Sequence, residues 1–254
     1  MKLYAILTWY DESPTWLAAT ITSLTKIGVD HLIAVDGAYI HYDGEGRSNA
    51  VQAEAIHLAC DAANIGLTMV RPQEKMWTEV EKRSFGFKLF EAHAEKFVDW
   101  CLVIDADEVI SEENPFLKKE LCETDSVVAS ARIWESIDPD TDEGKNNSAK
   151  TMEIYHRIPN PTVFGHEQTR FWKCIDNMRV ELNHYNYLGD IDGVTHRLRG
   201  DHVGDKSIGN VADIHTLESP VLIEHRDWWR IAHRRQAKLD YYELRDACGL
   251  ERAT

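Results

Sequence analysis

The sequence predicts an α/β fold in which a mostly parallel sheet is flanked by helices on both faces. In the first half of the 254-residue chain, short apolar runs typical of buried strands alternate with segments of helical periodicity. This alternation favours parallel pairing, because each helix returns the chain to the starting edge of the sheet. The polar residues that close the strands should therefore share one edge; they are Asp11, Asp36, Arg71 and Asp105.

The first strand and helix are predicted between Leu3 and Gly28. Leu3 to Trp9 is an apolar run of strand character. Ser13 followed by Pro14 is typical of a helix start, with the serine as N-cap and the proline in the first turn. Apolar residues then recur at helical spacing, and Gly28 is expected just beyond the helix.

Three more strands and two more helices are predicted before residue 110. The strands are His31 to Val35, Gly66 to Val70 and Trp100 to Asp105. The helices are Val51 to Ala63 and Thr78 to Phe97, the second with Phe85, Leu89, Ala92 and Phe97 facing inward.

Composition and charge narrow the class of protein. The chain is 43% hydrophobic and 28% charged, and its length is sufficient for a substantial core. A net charge of −15 disfavours nucleic acid as a partner, because such surfaces must neutralise many phosphates, although a local basic site stays open. No signal peptide or membrane-spanning run is found. Five scattered cysteines fit a reducing compartment, so a cytoplasmic location is expected.

The strand that begins at Trp100 ends in Asp105-Ala106-Asp107-Glu108. Since side chains alternate along a strand, Asp105 and Asp107 can project the same way. Two carboxylates with no arginine near them in sequence favour a hard divalent cation, Mg²⁺ or Mn²⁺. The alternative is a strand running into an acidic loop, and a lone D-x-D has many false positives. Its place at the fourth strand end of an alternating sheet favours the metal site.

Several segments, taken in order, resemble the GT-A glycosyltransferases of the family-2 type. They are Ile6 to Glu12 with the following helix, Val35-Asp36-Gly37, Glu81-Lys82-Arg83-Ser84-x-Gly86, and the D-x-D segment Val103 to Glu108. The resemblance covers about the first 110 residues. It departs at Asp11-Glu12, where the family more usually has Asn-Glu. It implies a Rossmann-like GT-A sheet, a mixed C-terminal acceptor side, and metal-dependent transfer from a nucleoside-diphosphate sugar.

The resemblance also implies a set of donor-binding residues. They are Thr8, Tyr10, Glu12, Asp36, Lys82, Arg83 and Asp105. Asp36 would hold the nucleotide, whereas Lys82 and Arg83 would lie beside the diphosphate. The alternatives are a turn residue before Gly37 for Asp36, and surface pairing with Glu79 or Glu81 for the two cations.

The second half should complete the site. Eight of the twelve histidines lie between His156 and His233, and His225 is preferred as a metal ligand, with His202 second. His225 opens a helix predicted over residues 226–246. Arg226, Arg230, Arg234 and Lys238 recur every fourth residue along it. These four cations would contact either the diphosphate or solvent. Arg226 is included among the donor-binding residues.

Catalysis by inversion would require a general base. The candidates are Glu167, Asp190, Asp192 and Asp201, and Glu167 is preferred because it lies just before the aromatic Arg-Phe-Trp run. Asp107 is the catalytic metal ligand. Four tryptophans, Trp134, Trp172, Trp228 and Trp229, belong either to the core or to a sugar-stacking surface. Gln168-Thr169-Arg170-Phe171-Trp172 resembles the Gln-x-x-Arg-Trp signature of processive membrane synthases only loosely. A processive synthase is therefore disfavoured.

The predicted organisation is one compact domain with two functional halves. Residues 1–110 would bind the nucleotide sugar, and residues 111–254 would form the acceptor side, with a flexible loop over 134–151. The acceptor would be a glycan, a protein or another hydroxyl compound. Two alternatives stay open: a sugar nucleotidyltransferase, which would normally carry a glycine-rich phosphate loop, and a sugar-nucleotide- or glycan-binding protein without turnover.

Overall fold

The computed structural model describes residues 1–40, 45–75, 77–135, 165–181, 187–198 and 210–226. The helices in these ranges are α1 (Pro14–Ser23), continued by the 3-10 turn Leu24–Ile27, α2 (Ala50–Ala63), α3 (Glu79–His93) and α4 (Leu117–Glu123). The strands are β1 (Leu3–Thr8), β2 (His31–Val35), β3 (Gly66–Val70), β4 (Trp100–Asp105), β5 (Glu108–Ile110), β6 (Val128–Glu135), β7 (Gly165–Lys173), β8 (Asp176–Val180), β9 (Tyr187–Ile191), β10 (Val194–Arg197), β11 (Ile214–His215) and β12 (Leu222–His225).

Nine of the described strands form one mixed sheet. Its order is β3-β2-β1-β4-β7-β6-β12-β5, with β11 beside β6. The pairs among β1 to β4 are parallel, as are those of β6 with β11 and β12, whereas β7 is antiparallel to both its neighbours and β5 is antiparallel to β12. The strands β8, β9 and β10 form a separate antiparallel sheet. The predicted α/β fold with a mostly parallel sheet is confirmed.

Helices cover both faces of the large sheet. Side chains alternate along each strand, so both faces are apolar and each is buried against helices. Leu3, Ala5 and Leu7 of β1 belong to the core that includes apolar residues of α1, α2 and α4. Tyr4 and Ile6 belong to the core on the other face, with the aromatic residues of α3. Each fully buried large apolar side chain contributes about 1.5–3 kcal/mol, so both faces stabilise the sheet.

The start of α1 agrees with the sequence prediction. Ser13 is the N-cap in an extended conformation, and Pro14 is the first helical residue, where a missing N–H costs nothing. The helix passes into a 3-10 turn that ends at Gly28, whose φ of +69° is the left-handed conformation that glycine adopts without a steric penalty.

Helix α3 is shorter than predicted. Thr78 and Glu81 form a capping box at its start, but it ends at His93 and does not reach Phe97. The carboxylate of Asp99 accepts the Glu95 N–H at 2.9 Å, which holds a turn where the helix would have continued.

The predicted inward face of α3 is also partly wrong. Ala92 is exposed and Phe97 is 49% exposed, whereas Phe85 and Leu89 are only half-buried. The buried face is instead formed by Lys82, Arg83, Gly86, Phe87 and Phe90. Two cations on that face made its apolar periodicity weak in the sequence.

Several predictions for the second half can be compared with the structure, and others lie outside it. Trp134 belongs to β6 and not to the predicted loop, and Trp172 is completely buried in β7, which confirms its core interpretation. The rest of that loop from residue 136, His202, Trp228, Trp229 and the predicted helix beyond Arg226 lie outside the described residues. No helix within the described ranges is both long and apolar enough to cross a membrane.

Candidate functional site

The carboxyl ends of β1 and β4 meet where the strand order changes direction. From β1 the chain builds outward through β2 and β3 on one side, and β4 lies on the other. Thr8 at the end of β1 is in register with Asp105 at the end of β4. Open α/β sheets bind ligands outside such a switch point. The edge formed by Thr8 and Asp105 is therefore the candidate site.

Asp105 and Asp107 lie on a tightly held turn between two strands. Asp105 ends β4 and Glu108 begins β5. The hydroxyl of Thr20 on α1 donates to the carbonyl of the intervening alanine at 3.1 Å. The backbone N–H of Arg226 donates to the carbonyl of Asp107 at 2.7 Å. Contacts from α1 and from the end of β12 thus fix the turn on two sides.

Asp105 is paired with an arginine from α3. The Nη2 of Arg83 lies 3.0 Å from Oδ1 of Asp105, and Glu79 lies 3.5 Å from the same guanidinium. Burial opposes the charge of Arg83, but Asp105 above all raises its pKa well above the usual value. The sequence showed no arginine close to the aspartates along the chain; the fold supplies one.

Gly86 explains how α3 brings this arginine to the sheet edge. A β-carbon at Gly86 would lie only 2.7 Å from Cγ2 of Ile6 in the core of β1. Because glycine has no side chain, the helix can approach the strand closely at this point. The packing of α3 against β1 therefore requires a glycine at position 86.

Asp107 is paired with His225, the histidine preferred from sequence. Nε2 of His225 lies 3.3 Å from Oδ2 of Asp107, and the two side chains are 21% and 5% exposed. His225 ends β12, where it is in register with Glu108 of β5. Burial lowers the pKa of His225, but the hydrogen bond and charge of Asp107 outweigh it, so the net pKa lies above the ordinary value of 6.5.

This pair predicts a pH dependence of stability. Because the pKa of His225 is higher in the folded than in the unfolded chain, its contribution is complete below the unfolded pKa and is lost as pH rises through the folded pKa. Without metal, we expect the free energy of unfolding to fall as pH rises above about 6.5. Urea titrations across this range should show the fall in wild type and in His57→Gln, whose residue is exposed on α2. The same slope in His225→Gln would contradict the assignment.

Asp36 is engaged by the protein itself. Its side chain is fully buried and accepts hydrogen bonds from the N–H groups of Gly37 and Ser48, from the Ser48 hydroxyl, and from Arg71 at 3.0 Å. These bonds join the end of β2 to the segments before α2 and after β3. The bond from the Gly37 N–H is the turn contact expected if Asp36 is a turn residue. The contact of Asp36 with a nucleotide stays a prediction.

Lys82 is buried instead of forming a surface ion pair. Its Nζ donates to the carbonyls of Trp9 at 2.6 Å and Gly37 at 2.7 Å, and it lies 5.4 Å from the centre of the Tyr39 ring. Lys82 therefore ties α3 to the loops that follow β1 and β2. Its contact with a diphosphate stays a prediction.

The loop after β1 is held against the segment before α2 and against the first turn of α2. The hydroxyl of Tyr10 donates to the carbonyl of Glu45 at 2.8 Å, and the N–H of Glu12 donates to Oε1 of Gln52 at 3.2 Å. Asp11 between them has a φ of +50°, which is costly for a residue other than glycine. Strained backbone of this kind is common at ligand sites. The binding of a sugar donor by Tyr10 and Glu12 stays a prediction.

Glu167 and Arg226 each have a charged neighbour. Glu167 lies near the start of β7, 48% exposed, with its carboxylate 3.7 Å from Nε of Arg132 on β6. The guanidinium of Arg226 lies 2.6 Å from the carboxylate of Glu224. The base role of Glu167 and the diphosphate contact of Arg226 stay predictions.

Sequence reasoning missed a buried ion pair next to the turn that carries Asp105 and Asp107. Arg170 on β7 binds both carboxylate oxygens of Glu108, at 2.6 and 3.2 Å, and both side chains are almost completely buried. Burial opposes the charge of Arg170, but the neighbouring Glu108 raises its pKa. Arg170 directly precedes the aromatic residues Phe171 and Trp172, and an arginine beside buried apolar residues needs an acidic partner, so this signal was available in the sequence.

The donor set at this edge fits Mg²⁺ or Mn²⁺. In enzymes that act on phosphates, such ions use one or two carboxylates together with substrate oxygens, instead of a closed protein cage. Asp107 and His225 offer adjacent oxygen and nitrogen donors, and Asp105 adds a carboxylate that is 29% exposed. Among the described residues, no three acidic, histidine or cysteine side chains form a ready-made metal cluster. A metal ion at this edge would need further ligands in addition to these side chains.

No protein-family model and no curated protein matches this chain. Among solved structures, it is similar to a Bacillus anthracis protein assigned as a glucose-1-phosphate thymidylyltransferase, in complex with sucrose (10% identity, TM-score 0.34, 54% of this chain and 56% of that one). It is also similar to glucosyl-3-phosphoglycerate synthase from Mycobacterium tuberculosis with Mn²⁺, uridine diphosphate and phosphoglyceric acid (13% identity, TM-score 0.32, 68% of this chain and 56% of that one).

A third similar structure is the same synthase with Mn²⁺, uridine-diphosphate-glucose and phosphoglyceric acid (12% identity, TM-score 0.37, 99% of this chain and 81% of that one). In the first two alignments the chain spans little more than half of the other protein, 56% in each. Likeness at this level assigns neither a family nor an activity.

Proposed function

We propose that this chain is a metal-dependent glycosyltransferase that moves a sugar from a nucleoside-diphosphate sugar to a hydroxyl acceptor. The observation that carries the proposal is the convergence of four side chains at the strand switch point. Asp105, Asp107 and His225 offer ligands for a divalent cation, and Arg83 offers a cation for a phosphate. Departure of a nucleoside diphosphate requires both functions, because negative charge builds up on it as the glycosidic bond breaks.

The residues divide into metal-binding and phosphate-binding roles. Asp107 and His225 would hold the ion, with Asp105 as a further carboxylate. When bound, the ion supplies Lewis-acid stabilisation of the leaving diphosphate. Arg83 would donate to phosphate oxygens, since guanidinium groups form short, charge-assisted bonds to them. Lys82 holds the loops after β1 and β2 around the same edge through its two carbonyl contacts.

The acceptor would approach from the side of β7. If the transfer inverts the anomeric centre, Glu167 is the side chain assigned to take the acceptor proton. Its carboxylate is half-exposed, so an acceptor hydroxyl can reach it, and Arg132 restrains it at 3.7 Å. Glu167→Gln would then lower turnover without weakening donor binding.

Thermal unfolding with nucleoside diphosphates, with and without Mn²⁺, tests the proposal. A ligand that binds the native state raises the melting temperature; at a hundred times its Kd, it adds about 2.7 kcal/mol of stability. We expect a Mn²⁺-dependent rise with at least one nucleoside diphosphate, lost in Asp107→Ala. Asp61→Ala removes an exposed carboxylate from α2 and should behave as wild type.

The outcomes separate the proposal from its alternatives. No Mn²⁺-dependent shift with any nucleoside diphosphate would contradict the metal–diphosphate site. A shift with a sugar nucleotide but no release of nucleoside diphosphate in the presence of acceptors would favour a binding protein. Formation of a sugar nucleotide from a sugar phosphate and a nucleoside triphosphate would favour a nucleotidyltransferase.

A further inference from the structure

The buried pair of Glu108 and Arg170 contacts the aspartate turn through the backbone of Asp105. Oε2 of Glu108 accepts the backbone N–H of Asp105 at 2.9 Å. Both oxygens of the same carboxylate accept from Arg170, at 2.6 and 3.2 Å. The proposed chemistry gives neither side chain a role.

Arg170 extends this contact to the preceding strand. Its Nη1 also donates to the carbonyl of Val103 in β4 at 3.2 Å. One guanidinium therefore joins β7, the end of β4 and the start of β5. The side chains of Arg170 and Glu108 are only 12% and 2% exposed, so water does not compete for these bonds.

Glu108 also connects two of the three proposed metal ligands, Asp105 and His225. Its side chain holds the backbone of Asp105, and its own backbone is in register with His225 on β12. A shift of Glu108 would move Asp105 and would alter the distance between Asp107 and His225. The spacing of the proposed ligands thus depends on one buried carboxylate.

Stability alone is a weak explanation for this pair. Buried ion pairs are often replaced by apolar residues of similar size with no loss of stability, because desolvation offsets the attraction between the charges. An apolar pair at these positions, however, would leave the N–H of Asp105 without its acceptor. The specific contribution of the pair is therefore geometric.

We propose that Glu108 is a positioning residue: the hydrogen bond from the Asp105 N–H to its side chain holds the Asp105-Ala106-Asp107 turn in the conformation required for binding a metal–diphosphate complex. This inference rests on the proposed function for its ligand, but its structural part concerns the N–H of Asp105 alone. Neither Glu108 nor its partner Arg170 would touch the substrate. Residues that orient metal ligands in this way typically change metal affinity 10–100-fold when replaced.

Two double variants test the inference. Glu108→Leu with Arg170→Met removes both charges and the acceptor, without leaving either charge buried alone. Glu108→Gln with Arg170→Met also removes both charges, but its amide oxygen can still accept the Asp105 N–H. Comparison of the two isolates the hydrogen bond from the ion pair.

The readouts are the melting temperature without ligand, hydrogen exchange at the Asp105 amide, and the Kd of Mn²⁺ with the nucleoside diphosphate that stabilises wild type. We expect faster amide exchange and about 10–100-fold weaker binding in the leucine variant, with recovery of both in the glutamine variant. Equal binding by a folded leucine variant and wild type would overturn the inference. Equal loss in both variants would overturn it too, since charge would then be the cause.

The failure of this inference is distinguishable from failure of the proposed function. If wild type binds no nucleoside diphosphate with Mn²⁺, the proposed function fails, and exchange at the Asp105 amide still decides the positioning role. If the leucine variant does not fold, the glutamine variant decides by itself. Slow amide exchange and near wild-type binding in it support the inference, and their loss contradicts it.

Discussion

Glu108→Leu alone is expected to lower the free energy of unfolding by about 3–5 kcal/mol, the usual cost of breaking a buried ion pair by removing one partner. The substitution leaves the guanidinium of Arg170 buried without the carboxylate that binds it at 2.6 Å. The N–H of Asp105 loses its acceptor in the same step. Urea denaturation monitored by tryptophan fluorescence measures the effect.

The matched control is the double variant Glu108→Leu with Arg170→Met. Because it leaves no isolated charge, it should recover most of the stability lost in the single variant. Glu112→Leu, which replaces an exposed acidic residue close by in sequence, should change stability by less than about 0.5 kcal/mol. A single variant as stable as the double variant would show that Arg170 finds another partner.

Asp107→Ala is expected to lower kcat about 10²–10³-fold, because a Lewis acid contributes several kcal/mol to stabilisation of the transition state. Turnover would be followed as release of nucleoside diphosphate from the donor that stabilises the protein in thermal unfolding. Asp107 lies 3.3 Å from His225, so its loss removes the oxygen of the adjacent donor pair.

Asp105→Ala should have a smaller effect on kcat than Asp107→Ala. Its carboxylate is paired with Arg83 at 3.0 Å, and the substitution leaves the Asp107–His225 pair intact. Asp61→Ala again serves as the unaffected control. Asp107→Ala turnover within about threefold of wild type would contradict the metal role assigned here. A larger loss in Asp105→Ala would reverse this ranking of the two carboxylates.

The first half of the fold was predictable because its signals are local. Apolar runs, the Ser13-Pro14 start and Gly28 each act within one element, and they place β1, α1 and the strands β2 to β4 correctly. The position of Asp105 at a strand end follows from the same pattern. Helix α3 was predicted too long because the bond between Asp99 and the Glu95 N–H competes with the helix, and apolar spacing does not report it.

The ion pairs of the site were not predictable in the same way. Arg83 and Asp105 lie on different elements, as do Arg170 and Glu108, and only the strand order brings them together. Insertion of β7 beside β4 in antiparallel orientation is a long-range event that no local pattern encodes. The pairing of Asp107 with His225 joins two residues selected separately. Lys82 donates to two backbone carbonyls, and its contact with a ligand stays a prediction.

The position of β12 has a consequence for biosynthesis. This strand lies between β6 and β5, although it is translated long after both of them. Until it leaves the ribosome, β5 and β6 lack their common neighbour, and Asp107 lacks the imidazole of His225. Pairings between such distant segments form slowly, because the chain loses more entropy in closing the longer loop. A nascent chain should therefore acquire its first parallel strands early and the pairing of Asp107 with His225 last.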